Sequence, residues 1–280
     1  PLWDQPMLAR TLGMLVEWGV QQVLINLHHA PGPIVRYLAS QTFPQLRISA
    51  VFEPVILGTG GALRKASWFI DEPFWLLNAD VIADLNPAPL LRVWQKRRPL
   101  AACWLTADAG PKTVRCEKGL IRSFHDQRHG QATFCGLQLL DERILPFIAP
   151  DGFDTIIAAY QRAQNKHHRI AGVFVPGSFW ADIGTPAQYV QAHRDTAERF
   201  GHAGKSFTLP AAAVLTPREQ ALLSPVFRPL APVEVLPPRG SAREFLRLYP
   251  PPRSIGYAYK YSLNSIILIR WSPERPDNRL

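Results

Sequence analysis

The amino-acid sequence predicts an α/β protein: a doubly wound, mostly parallel sheet with helices on both faces, followed by a partial β-hairpin near the C-terminal end. Three observations predict it. Short apolar runs alternate with amphipathic helical stretches from Met7 to Phe200, the rhythm of strand, crossover helix and next strand. Runs such as Phe74-Trp-Leu-Leu77 and Ala101 to Thr106 are continuously apolar rather than alternating, as strands covered on both faces are. Two runs stop abruptly at acids, Asp80 and Asp182, which is how a strand delivers a carboxylate to the carboxyl edge of an open sheet, where such folds bind ligands.

Met7 to Trp18 places Leu8, Leu12, Leu15 and Val16 on one helical stripe that Gly19 stops. Val23 to Leu27 is a short strand ending at His28 and His29, a pair open to reading as ligands or as strand-end residues that hydrogen-bond locally. Pro31 and Pro33 start the next helix, through about Ser40, because proline suits the first helical turn. Leu46 to Phe52 alternates as a strand does. After Glu53, three glycines and a threonine in Leu57-Gly-Thr-Gly-Gly-Ala-Leu63 open a helix, so that backbone N–H groups near the positive end of the helix dipole can approach a ligand. This loop matches neither the dinucleotide fingerprint nor the phosphate loop with its Gly-Lys-Ser/Thr, and a glycine-rich turn capped by threonine is its plain alternative.

Phe74 to Asn78 reads as a central strand. A helix from about Pro89 to Arg97 and the strand Ala101 to Thr106 follow, then a hairpin around Glu117-Lys118-Gly119. Thr133 to Leu140 is a strand with Gly136 inside it, where glycine signals a bulge or the close approach of a ligand to the backbone. Asp141 to Ile148 and Asp154 to Gln164 read as helical, Ile170 to Val175 and Ser178 to Ile183 as strands, and Pro186 to Phe200 as the closing helix. From Gly201 to Arg239 the chain turns Pro- and Ala-rich, with Pro225, Pro229, Pro232, Pro237 and Pro238, and reads as a linker. Gly240 to Leu248 and Ser265 to Trp271 are the two strands of the terminal hairpin. The expected domains are therefore 1–200, a linker over 201–239, and the beginning of a second domain over 240–280.

Composition narrows the classes. With 280 residues and 47% hydrophobic content the chain can bury a sizeable core. No apolar run reaches the roughly 20 residues that span a bilayer, and the first residues carry no signal-peptide pattern. Cys103, Cys116 and Cys135 stand singly, forming neither a disulfide framework nor a metal knuckle, which points to a reducing cytoplasm. The net charge of +9 is scattered, with Lys96-Arg97-Arg98 the one tight cluster, at a helix end where cations favour the dipole. That distribution argues against nucleic acid and suits small phosphorylated ligands. The chain opens on Pro1-Leu2-Trp3 and enters a helix at once, so an upstream strand is expected.

Two carboxylates at a sheet edge beside a glycine loop suggest a hard cation such as Mg²⁺ bridging phosphate oxygens, and hence phosphoryl or nucleotidyl transfer. Each acid also has a turn reading: Asp80 capping the turn before Val81, and Asp182 bonding backbone amides of Ile183-Gly184-Thr185.

Leu57-Gly-Thr-Gly-Gly-Ala-Leu63, Leu77-Asn-Ala-Asp80 and Trp180-Ala-Asp-Ile-Gly-Thr-Pro186, in that order and separation, resemble the sugar-1-phosphate nucleotidyltransferases, or NDP-sugar pyrophosphorylases. The resemblance covers Met7 to Phe200 and implies a Rossmann-like nucleotide-binding sheet that joins a nucleoside triphosphate to a sugar 1-phosphate and releases pyrophosphate. It further implies that Asp80 and Asp182 are catalytic and hold Mg²⁺. By the same resemblance Gly58, Thr59, Gly60, Gly61 and Asn78 bind the nucleotide, and Gly136 lets the sugar approach the backbone. The family's amino-terminal Gly-x-Gly-Thr-Arg loop and Lys-Pro have no counterpart. Its later Glu-Lys-Pro is replaced by Ser123-Phe-His-Asp-Gln-Arg-His-Gly130, where Arg122, Arg128 and His129 are the candidate substitutes for the sugar-phosphate lysine. Gly240 to Leu248 resembles the opening hairpin of aminoglycoside-phosphotransferase-type kinases, which implies a fused or partner sugar kinase. Two rival readings remain at this point: a non-catalytic ligand-sensing or assembly module of the same fold, favoured by the absent basic loop, and a Rossmann oxidoreductase, disfavoured because no strand runs into Gly-x-Gly-x-x-Gly.

Overall fold

The structure, a computed structural model, describes residues 1–3, 5–223, 232–237, 243–248 and 266–271. Its contacts divide it into two compact units. One is Pro6–Ala181; the other combines Pro1–Gln5 with the described residues from Asp182 onward.

The first unit runs α1 (Met7–Glu17), β1 (Gln22–Leu27), α2 (Pro31–Ser40), β2 (Arg47–Phe52), α3 (Gly58–Lys65), β3 (Phe74–Leu77), β4 (Val81–Asp84), α4 (Ala88–Arg97), β5 (Ala101–Thr106), β6 (Arg115–Glu117), β7 (Leu120–Ser123), β8 (Thr133–Leu140), α5 (Ile156–Asn165), β9 (Ile170–Phe174) and β10 (Phe179–Asp182), whose last residue opens the other unit. The main sheet has the order β3-β8-β5-β9-β7-β6. β8 is antiparallel to both β3 and β5, β5 is parallel to β9, and β7 is antiparallel to β9 and to β6. β3, β5, β9 and β6 therefore run one way, with β8 and β7 reversed among them. β1 and β2 pair in parallel from Gln22↔Arg47 to Leu27↔Phe52, and β4 and β10 form a further two-stranded sheet.

β5 shows why this unit is doubly wound. Its alternate side chains enter two cores: Ala101, Cys103 and Leu105 pack with Leu63 of α3 and Ile156, Tyr160 and Ala163 of α5, while Ala102 and Trp104 pack with Leu90 and Trp94 of α4 and with Met14 and Trp18 of α1. Side chains alternate across a pleated strand, so a stretch covered on both faces is apolar at every position, as Ala101 to Leu105 of β5 are. Full burial of one aliphatic side chain such as Leu90 contributes about 1.5–3 kcal/mol.

Phe74–Leu77, expected as a central and buried strand, instead lies at the edge of the six-stranded sheet, with all four residues only half-buried. Residue type reports whether the faces of a strand are covered; it carries no information about whether a neighbour pairs with each edge. Asp141–Ile148, read as helical, folds as a 3₁₀ turn over Glu142–Phe147, where Pro146 breaks an α-helical ladder.

The second unit contains α6 (Pro186–Asp195), β11 (Phe207–Leu209), α7 (Ala211–Val214), α8 (Pro217–Leu223), β12 (Val233–Val235), β13 (Arg243–Leu248) and β14 (Ile266–Trp271). The four strands form one antiparallel sheet in chain order, and the β13–β14 hairpin falls where its two strands were expected. Val190, Leu209, Val214, Val233, Val235, Leu246 and Leu248 form its core. The stretch read as a linker thus supplies β11, α7, α8 and β12. Three-residue strands are too short to show a period, and Pro232 and Pro237 flank β12. Pro225, Pro229 and Pro238 lie outside the described residues. Among the described residues, no helix is long and apolar enough to cross a membrane.

Candidate functional site

The turn between β3 and β4 carries Asn78 and Asp80, both exposed. Asn78 N–H donates to the Gly136 carbonyl at 2.8 Å, extending the β3–β8 ladder by one bond. Gly136 itself sits in a bulge: β5 pairs through Cys103↔Gln138 and then Leu105↔Phe134, so Cys135 to Leu137 oppose Trp104 alone. Its φ is +71°, and a Cβ placed there would lie 2.8 Å from Asn78 Nδ2 and 2.9 Å from Asn78 Cγ. Trp180 Nε1–H donates to the Cys135 carbonyl at 2.9 Å and pins the same bulge. Two expected site residues, Asn78 and Gly136, are therefore in direct contact, and Asp80 follows two residues on. The space above Gly136 that the sequence left open to a ligand holds the Asn78 side chain.

The glycine loop is also occupied from within the chain. Gly60 and Gly61 donate their N–H groups to the Asp154 carbonyl at 2.9 and 3.3 Å, and Asp154 N–H donates to the Leu57 carbonyl at 2.9 Å. The expected open row of N–H groups is corrected at these two positions: the orphan donors of the first helical turn are satisfied by the chain itself. A Cβ at Gly58, where φ is +71°, would lie 2.4 Å from Asp154 O and 2.9 Å from the ring of Phe153. Thr59 Oγ1 accepts from Ile156 N–H at 3.0 Å. Just before the loop, Glu53 is 1% exposed; its Oε2 accepts from Leu57 N–H at 3.3 Å, and its Oε1 is buried with no hydrogen-bond partner. His28 Nδ1–H donates to the Glu53 carbonyl at 2.8 Å, the local strand-end bond that was one of its two readings.

Asp182, which opens the other unit, is half-buried. Its Oδ1 accepts from Gly184 N–H at 2.8 Å and its Oδ2 from Gln188 Nε2 at 3.1 Å, while Thr185 caps α6 by accepting from Gln188 N–H at 3.2 Å. The Asp-x-Gly-Thr element thus folds as a helix-starting turn, and each carboxylate oxygen keeps further lone pairs for another partner.

In the segment that replaces Glu-Lys-Pro, Asp126 Oδ1 accepts from His129 N–H and Arg128 N–H at 2.8 and 3.2 Å, bonds that hold its carboxyl below the usual range. Arg122 faces Glu117 at 3.4 Å. Of the three substitutes considered, Arg128 and His129 sit on this Asp126-centred turn. Among the described residues no group of three or more His, Cys, Asp or Glu side chains is placed to hold a metal ion. Asp80 and Asp182 each offer hard oxygen donors, the kind that Mg²⁺ combines with water and phosphate oxygens rather than with an all-protein cage.

Glu53 and Asp154 are the site-region residues that sequence reasoning missed. Glu53 directly follows a strand end and precedes the glycine loop, a signal that was available. Asp154 had none beyond its place at a helix start.

The nucleotidyl transferase family model matches residues 1–199. Mannose-1-phosphate guanylyltransferase 1 of Arabidopsis thaliana is 25% identical over 211 residues, covering 68% of this chain and 56% of its own length. Mannose-1-phosphate guanylyltransferase of Mycobacterium tuberculosis is 22% identical over 232 residues, covering 76% and 64%. The chain spans between 56% and 61% of the length of the plant relatives it matches. Among solved structures, HddC from Yersinia pseudotuberculosis complexed with GMP-PN superposes with a TM-score of 0.59 at 18% identity, over 70% of this chain and 87% of that one. UDP-glucose pyrophosphorylase from Acinetobacter baumannii in complex with UTP gives 0.61 at 13% identity, over 71% and 84%. These likenesses are of fold.

Proposed function

The chain belongs to the nucleotidyl transferase family, and on that premise we propose that it joins a nucleoside triphosphate to a sugar 1-phosphate, forming an NDP-sugar and releasing pyrophosphate. A phosphate oxygen of the sugar 1-phosphate attacks the α-phosphorus of the triphosphate. The bond from the α-phosphorus to the bridging oxygen breaks, and pyrophosphate leaves with that oxygen and its electron pair. Such a transfer asks the protein mainly for placement and for charge compensation.

The observation that carries the reading is the Glu53 oxygen: a buried acceptor with no partner, on the residue that leads into the glycine loop. Leaving such a group unsatisfied costs about 1–3 kcal/mol, and an N–H on the edge of a nucleobase resting on that loop supplies the missing donor. Gly58, Thr59, Gly60 and Gly61 form the floor of the nucleotide site in this reading, with Asn78 beside it and Gly136 on the sugar side. Asp80 and Asp182 are the residues that would hold Mg²⁺, which when bound neutralises phosphate charge and stabilises the departing pyrophosphate. Residues 1–200 carry the transferase site in this reading. The cytoplasm is its proposed compartment.

The guanylyltransferase relatives put GTP and mannose 1-phosphate first among the pairs to try. The test is a pyrophosphate-release screen of the full-length protein, with Mg²⁺, using the four common nucleoside triphosphates against a panel of sugar 1-phosphates. The expected result is release that needs both substrates and stops on chelation of the metal. Triphosphate binding without release from any pair would favour the non-catalytic sensing reading.

A further inference from the structure

The Asp154 backbone ties the glycine loop in place, and its side chain holds the segment that carries it. Its carbonyl takes the Gly60 and Gly61 N–H groups, and its own N–H returns to Leu57. Its carboxylate, on a residue 5% exposed, does not reach the loop; it fixes the segment that carries that carbonyl. Oδ2 accepts from Ala149 N–H at 2.8 Å and from Arg162, and Oδ1 accepts from Thr155 N–H at 2.9 Å. Arg162 is itself anchored on the Phe147 carbonyl at 2.6 Å. From the other side, Arg64 of α3 donates to the Ala149 and Gly152 carbonyls. Residues 149–156 and the Gly58–Lys65 helix thus hold each other at both ends, and a charge-assisted hub at Asp154 sets their separation.

We propose that Asp154 is a positioning residue for nucleotide binding: it touches no substrate, but it fixes where Gly58 to Gly61 lie, and so how well the loop is pre-formed for a base and ribose. This role rests on the nucleotide-site reading given above. A loop that must be ordered when ligand arrives binds more weakly than one ordered beforehand, with little effect on the partner substrate or the chemical step.

The test compares Asp154→Ala, the near-isosteric Asp154→Asn and Thr155→Ala. Thr155 caps α5 by accepting from Ala158 N–H at 3.1 Å, so its loss weakens the same helix while leaving the Asp154 bonds intact. Binding of each of the four nucleoside triphosphates with Mg²⁺, the two KM values, melting temperature and amide hydrogen exchange are measured for each. Asp154→Ala is expected to weaken triphosphate binding at least tenfold, with the sugar 1-phosphate KM within twofold of the parent, and to speed exchange at Gly60 and Gly61 at least tenfold. Asp154→Asn is expected to fall between. Thr155→Ala is expected to lower the melting temperature comparably while leaving triphosphate affinity within twofold. Unchanged triphosphate affinity in Asp154→Ala beside a parent that binds overturns this role alone, as does a parallel rise of both KM values in Asp154→Ala and Thr155→Ala. A parent that binds no triphosphate overturns the functional reading and this role with it.

Discussion

Gly58 and Gly136 share a backbone conformation, with φ +71° at each, and differ in what occupies the place of the missing side chain. At Gly58 it is a backbone carbonyl oxygen, Asp154 O, held at both ends by the bonds of its segment. At Gly136 it is the Asn78 side chain on an exposed turn, with Nδ2 and Cγ nearest and Cβ at 3.1 Å. The left-handed backbone favours glycine at both, but the backbone neighbour at Gly58 gives way less readily than the side chain at Gly136. Identical dihedral angles can therefore carry very different penalties for substitution, and the difference lies in the mobility of the neighbour.

The largest expected effect is at Gly58. Gly58→Ala incurs about 1–2 kcal/mol of left-handed strain and about 1–3 kcal/mol from pushing a packed segment aside, for a loss of roughly 2–5 kcal/mol in urea denaturation. A loss near 1 kcal/mol would show that the 149–156 segment yields easily. Gly136→Ala comes second, at about 1–2 kcal/mol, because Asn78 can rotate away. Its cost should fall by no more than about 0.5 kcal/mol in an Asn78→Ala background, and a fall of about 1 kcal/mol or more there would show that Asn78 resists and break the contrast between the two glycines.

Much of this was legible in the sequence because it depends on local pattern. The apolar runs and glycine and proline punctuation located nearly every element of Pro6–Ala181, and the break from Leu77 to Asn78-Ala-Asp80 located the exposed acid. Illegible were features fixed by partners distant in sequence. Nothing in the Phe74–Leu77 run says that β8 pairs on one side of it only. Nothing in Leu57-Gly-Thr-Gly-Gly61 says that Asp154, far along the chain, fills its first turn. A glycine records that space is needed and is silent on whether ligand or protein takes it. The two-sided reading of Gly136, bulge or ligand approach, was therefore as far as pattern alone could go. Glu53 shows the converse: an acid before a glycine loop is ordinary until burial reveals that one of its oxygens has no partner.

The central proposal is that Asp80 and Asp182 each serve the metal-assisted transfer. Asp80→Asn and Asp182→Asn test it most directly in single-turnover pyrophosphate release with Mg²⁺ and the best substrate pair. Asparagine at 182 can still accept from Gly184 N–H, so the turn is preserved while the charge is removed. Each variant is predicted to lose on the order of a hundredfold or more in the transfer rate while keeping the parent's melting temperature within a few degrees. A parental rate in either variant would contradict the account.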